Sequence, residues 1–130
     1  MRWHTVVSAI RAALNADATL FAIAGKVEPI EATGSRIVPM VRYTVVSDVE
    51  EEVMNPIIIQ IDYWASGRAA AVAIEERIRA VLNHPIRRTF GGLDMETSFD
   101  GARDSSDPEP GVVHRQLDFR FVPVKRRITT

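Results

Sequence analysis

The sequence predicts an α+β fold in which helices pack on an antiparallel four-stranded sheet, in the order α-α-β-β-α-β-β. Three observations carry this. The run Ile57-Ile58-Ile59-Gln60-Ile61-Asp62-Tyr63-Trp64 is dense in β-branched and aromatic side chains, which suit a pleated surface. It turns at Ala65-Ser66-Gly67 into a segment where Ala71, Ile74, Ile78, Val81 and Leu82 recur at spacings of three and four, the stripe of an amphipathic helix. Finally, Gly111 to Val124 alternates, with Val113, Arg115, Leu117, Phe119 and Phe121 on one face and His114, Gln116, Asp118 and Arg120 on the other. Arg115 alone breaks the inward row.

The remaining elements follow in chain order. Thr5 can cap a first helix that carries Val6, Val7, Ile10, Ala13 and Leu14 on one side and ends around Asn15. Asp17 caps a second, short helix through Leu20, Phe21 and Ile23, and Gly25 suits its left-handed closing position. From Lys26 to Pro39 proline and glycine break the pattern, predicting a connecting loop. Met40 to Val46 and Val53 to Trp64 read as neighbouring antiparallel strands. Between them Asp48-Val49-Glu50-Glu51-Glu52 is too acidic to bury and predicts a solvated tip. Asn83-His84-Pro85 ends the long helix, because proline disfavours helical geometry in the residue before it. Thr89 to Phe99 predicts a third strand, weakened at Gly91-Gly92, and Gly111 to Val124 the fourth. The polar stretch 100–110, with Pro108 and Pro110, predicts a mobile loop, and Lys125-Arg126-Arg127 a short basic tail after a single domain spanning 1–124.

At 130 residues the chain has the common size of one domain, with ordinary hydrophobic (46%) and charged (25%) fractions. Sixteen basic and seventeen acidic side chains give a net charge of −1, which argues against a dedicated nucleic-acid binder working through many phosphate contacts. The absence of cysteine excludes disulfides, thiolate metal sites and cysteine nucleophiles. No apolar run approaches the roughly 20 residues that cross a bilayer, and Arg2-Trp3-His4 does not open a signal peptide, so no membrane association and a cytoplasmic product are expected.

Candidate chemistry is sparse. His4, His84 and His114 lack the close paired spacing of metal ligands on one element. Ser66-Gly67 lacks the preceding glycine of a nucleophile elbow, and capping the following helix explains the serine. Gly91-Gly92 is followed by no phosphate-binding Lys-Ser/Thr, and the acidic tip lacks the glycine and oxygen spacing of a calcium loop. No enzyme, no cofactor and no metal are expected. Tyr63 and Trp64 fall on opposite faces of one strand, so one of them is expected to leave the core, and Trp64 is a candidate interface anchor.

The segments Ala12-Ala13-Leu14-Asn15-Ala16-Asp17-Ala18 with Gly25-Lys26-Val27, Tyr43-Thr44-Val45-Val46-Ser47, Ile59-Gln60-Ile61-Asp62-Tyr63-Trp64-Ala65, the alanine-rich helix to Leu82, and Leu117-Asp118-Phe119-Arg120-Phe121 together resemble the tail terminator, or tail completion, proteins of long-tailed bacteriophages and prophages, over roughly residues 5 to 124. The resemblance implies a small α+β subunit that forms a six-membered ring, ends the tail tube and receives the head connector, while DNA passes through without specific binding. It implies partners in other copies of the chain, the tail tube protein and the head-tail connector, and a place in the host cytoplasm and then the virion tail. A head-to-tail ring needs two unlike surfaces. The candidates are Glu50, Glu51 and Glu52 at the acidic tip, Trp64, Arg103 and Asp104 in the 100–110 stretch, and Lys125, Arg126 and Arg127 in the tail. Two other classes stay open at this point: another connector or head-closure protein of the phage neck, and a small α+β ligand-binding module or enzyme.

Overall fold

The computed structural model describes residues 3–31, 37–47, 57–83, 88–90 and 93–123. Three helices, α1 (Trp3–Ala16), α2 (Ala18–Ala24) and α3 (Arg68–Leu82), lie against a sheet of β1 (Glu28–Pro29), β2 (Met40–Ser47), β3 (Ile57–Ser66), β4 (Arg88–Phe90), β5 (Leu93–Ser105) and β6 (Val112–Pro123). The sheet order is β1-β2-β3-β6-β5-β4. Strands β2 to β6 are antiparallel to their neighbours, and the two-residue β1 adds a parallel edge beside Arg42 and Tyr43.

The α+β class is as expected, but the sheet departs from four strands at both edges. At one edge β1 arises inside the expected loop. Two residues show no periodicity, Pro29 is tolerated because an edge strand leaves one side unpaired, and Arg42 NH1 fixes Glu28 Oε2 at 2.7 Å. At the other, the expected third strand divides into β4 and β5, which pair antiparallel with Phe90 opposite Leu93. β5 then runs on to Ser105, through residues expected to be loop. A register shift between Phe99 and Gly101, where Gly101 has φ 148°, keeps it in step with β6. Polar cross-strand partners sustain this part of β5: Arg103 lies opposite Gln116 and Asp104 opposite Arg115. The acidic residues Glu50, Glu51 and Glu52 and the tail residues Lys125, Arg126 and Arg127 lie outside the described residues.

One face of the sheet carries the core. Ile57, Ile59, Ile61, Tyr63 and Ala65 of β3 and Leu117, Phe119 and Phe121 of β6 are buried under Ala71, Ile74, Ile78 and Leu82 of α3. Val6, Ile10, Leu14 and Leu20 of the first two helices join them. The α3 stripe matches the sequence reading, with Val81 partly buried at its margin. The cap differs. Gly67, at φ 91°, precedes Arg68, and no side chain caps the helix, so Ser66 is the last residue of β3 and not the cap. The first helix begins at Trp3, which places Thr5 inside it. Asn15, near the end of α1, clamps the chain beyond α2: its Oδ1 accepts from Val27 N–H at 2.7 Å and its Nδ2 donates to Val27 C=O at 3.2 Å.

Asp17 caps α2 as expected, accepting from Leu20 N–H at 2.9 Å, and Gly25 closes it at φ 73°. The Asp17 carboxylate also accepts from Arg77 Nε at 2.7 Å, tying α2 to α3. The Arg77 guanidinium holds the Asp17 carboxyl below its ordinary range. A depressed folded-state value contributes stability that is complete above about pH 4, the unfolded value, and is lost as pH falls through the folded one. Asn caps as well as Asp, so Asp17→Asn should keep the cap yet remove this acid-dependent part, whereas Asp17→Ala should cost about 1 kcal/mol more. Urea midpoints of the three proteins across pH 2 to 7, roughly the span of carboxyl titration, will separate the two effects.

Candidate functional site

The face of the sheet turned away from the helices is polar, and its side chains are joined. Gln60, Asp62 and Trp64 alternate with the core residues of β3 and stand opposite Asp118, Gln116 and His114 of β6, with Arg103 of β5 beyond Gln116. Asp62, only 3% exposed, accepts from Gln60 Nε2 at 2.6 Å and Gln116 Nε2 at 3.2 Å, and its Oδ2 meets His114 Nε2 at 2.9 Å. Arg103 fans out over the neighbouring strands: Nε donates to Gln116 Oε1 at 2.8 Å, NH1 to Asp118 Oδ2 at 2.7 Å and NH2 to Gln60 Oε1 at 2.6 Å. The residues thus form one lattice from Trp64 to Asp118, in which carboxylates accept, the guanidinium donates and the two amides do both. Asp118 Oδ1 is buried and has no hydrogen-bond partner among the described residues.

Trp64 is the one of the pair that leaves the helix-side core, as expected, but it is covered all the same. Tyr63 is 1% exposed under α3, and Trp64 is 9% exposed on the polar face, because the His114 ring stacks over it at 4.2 Å with 17° between planes. Of the candidate interface residues inside the described part, Arg103 and Asp104 therefore sit together on exposed strand, and Trp64 lies in the adjoining lattice beneath His114.

A second polar cluster lies on the helix side and resolves the anomaly of Arg115 in an apolar row. Arg115 Nε donates to Glu75 Oε1 of α3 at 2.7 Å and its NH1 to Asp104 Oδ1 at 2.8 Å. Tyr63 OH donates to the same Glu75 oxygen at 2.8 Å. Burial, and then the bond to Glu75, hold the Tyr63 phenol above its usual range, while Asp104 and Glu75 hold the Arg115 guanidinium above its own.

Sequence reasoning missed both clusters, because their members are 40 to 54 positions apart where they cross from β3 or α3 to β6. One signal was available. Polar residues at alternate positions of an isoleucine-rich strand, Gln60 and Asp62, imply a partner face that is itself polar, and the outward row of β6 supplies one. The arrangement provides fixed charge and hydrogen-bonding capacity across a broad strand surface. Among the described residues no three His, Asp or Glu side chains gather in a way that would hold a metal ion. No single helix among them is long and apolar enough to cross a membrane.

Comparison with protein families and with curated proteins finds no match. Solved structures do share the fold. A chain from the virion of native gene transfer agent (GTA) particle superposes with a TM-score of 0.66 at 19% identity, covering 89% of this chain and 92% of that one. A second solved chain, whose name carries no function, superposes with a TM-score of 0.61 at 12% identity, covering 94% and 98%. At such identities the likeness is one of fold, and it extends over nearly the whole of each chain.

Proposed function

We propose that this chain is a phage-type structural protein of the virion, a shaped subunit that forms a ring on the end of the tail tube and makes the joint to the head connector. The observation that carries the reading is the whole-length fold likeness to a chain of a gene transfer agent virion. The tail terminator resemblance of the sequence points the same way. The polar sheet face suits the role: Arg103 and Asp118, and His114 and Asp62, are engaged with one another, so this part of it offers shape and a set pattern of charge without a convergent group poised for reaction. Near-neutrality suits a ring through which DNA slides, since phosphate affinity grows with every unpaired cation. The acidic stretch 48–52 and the basic stretch 125–127 carry the opposite charges that two unlike surfaces of neighbouring subunits would use.

Deletion of the gene from its parent phage or prophage tests this. Without the chain, particles should separate into filled heads and unattached tails of irregular length. Purified chain added to the extract should restore joined particles, with a six-fold ring at the tail end in electron micrographs. Joined particles with tails of uniform length in the deletion strain would refute the reading.

A further inference from the structure

We propose that the sheet is itself the joint between copies of this chain: the open part of β2, residues 44–47, pairs through its main chain with residues 101–105 of β5 in the next copy. The inference rests on the self-assembly in the reading above and names the surfaces that perform it.

Strand direction is the first argument. β2, β3, β6 and β5 are antiparallel in turn, so the outer two run in opposite directions. A rotation about an axis along the strands brings β2 of one subunit beside β5 of the next in antiparallel order, with the helices of both on the same side. The contact is heterologous, joining two unlike edges, and so generates a ring when the rotation closes.

The second argument is where the main-chain groups point. Tyr43 C=O accepts from Ile30 N–H at 2.9 Å, so the core-facing residues of β2 direct their backbone groups off that edge, Val45 among them. Phe99 N–H donates to Asn83 Oδ1 at 3.3 Å, away from β6, so the core-facing residues of β5 also point off their edge. Beyond the shift at Gly101 these are Ala102, opposite Leu117, and Asp104, opposite Arg115. Core-facing residues thus meet core-facing residues, and the helix layer continues from one copy to the next.

The third argument is that each edge is closed over one part and open over another. β1, with a proline, covers β2 at Arg42 and Tyr43. β4 covers β5 from Leu93 to Met95, and Asn83 caps Phe99. Residues 44–47 and 101–105 have no strand on their outer side among the described residues. Ala102, Arg103 and Asp104 are exposed, as is Val46. Free edges are ordinarily blunted by outward charges. Here Arg103 and Asp104 are drawn inward over β6 by Asp118 and Arg115, which leaves the edge accessible to a partner strand.

The chain has no cysteine, so an introduced pair reports the contact without background. The full chain carrying both Val46→Cys and Ala102→Cys, treated with a flexible bis-maleimide, should give a ladder of adducts from dimer upward. It should do so in concentrated solution that scatters light as an oligomer, and in particles assembled with it. Either single variant should give dimers at most. Adding Ala102→Pro to a chain carrying Val46→Cys and Asp104→Cys removes one outward N–H and should weaken the ladder about tenfold, the equivalent of one main-chain hydrogen bond. A thermal melt matching the parent shows that this variant folds, and the cysteine pair alone decides the matter if it does not. Several copies at the tail end without a ladder would overturn the edge pairing and leave the tail reading standing. A ladder from a chain absent from tails would do the reverse, and a chain monomeric at every concentration and absent from particles would overturn both.

Discussion

Ile78→Asp is expected to leave the chain unfolded at 25 °C, with the far-ultraviolet helix signal lost and no cooperative urea transition. Ile78 is fully buried at the centre of the α3 stripe, among side chains from β3 and β6. Removing it from the core forfeits about 1.5 to 3 kcal/mol of burial, and an unpaired carboxylate in its place costs several more. A chain of this size has only about 5 to 15 kcal/mol in total. Ile78→Val at the same site should cost about 0.5 to 1.5 kcal/mol and stay folded, which ties the loss to charge and cavity and not to the helix backbone. A cooperative melt of Ile78→Asp at the wild-type temperature would mean that α3 does not pack through this face.

That stripe was legible because its information is local: positions three or four apart fall on one side of a helix whatever the rest of the chain does. The same holds for Asp17 and Gly25, whose partners Leu20 and Phe21 lie within four residues, and for the alternation of β6. What sequence reading lost is what distant partners decide. Residues 101–105 look like loop by composition, yet Arg103 and Asp104 are strand residues because Asp118 and Arg115, fifteen and eleven positions on, stand beside them. The insertion of β6 between β3 and β5 has no local signature, and neither has the lattice around Asp62, which that insertion assembles. Two-residue β1 is too short for any period, and the apolar pattern from Thr89 to Phe99 predicts one strand where β4 and β5 are two. The candidate surface was therefore visible as a row of outward polar residues, and its construction was not.

The Glu75 cluster should respond in a way that separates its hydrogen bonds from its charge. Glu75→Ala takes the acceptor from the buried Tyr63 hydroxyl and one of the two carboxylates from Arg115, and is expected to cost about 1 to 3 kcal/mol, mostly from the orphaned hydroxyl. Glu75→Gln keeps an acceptor at nearly the same place. It should cost less than about 1 kcal/mol, because Arg115 and Asp104 are open enough to solvent for water to screen much of the lost ion pair. Loss of the carboxylate also shows in alkali. Burial first and Glu75 second raise the Tyr63 ionisation in the folded state, so its contribution to stability is complete below the unfolded value of about 10 and is lost as pH rises from there through the folded one. Removing the carboxylate lowers the folded value and shortens that decline, while burial alone keeps the phenol above its ordinary range. Phenolate absorbance followed with urea midpoints from pH 8 to 12, roughly the span of phenol titration, should show Glu75→Ala ionising earlier than wild type. Glu75→Ala with unchanged stability and an unchanged phenolate titration would mean that α3 and the sheet are held by the apolar stripe alone, and that Arg115 is tolerated in the inward row through Asp104.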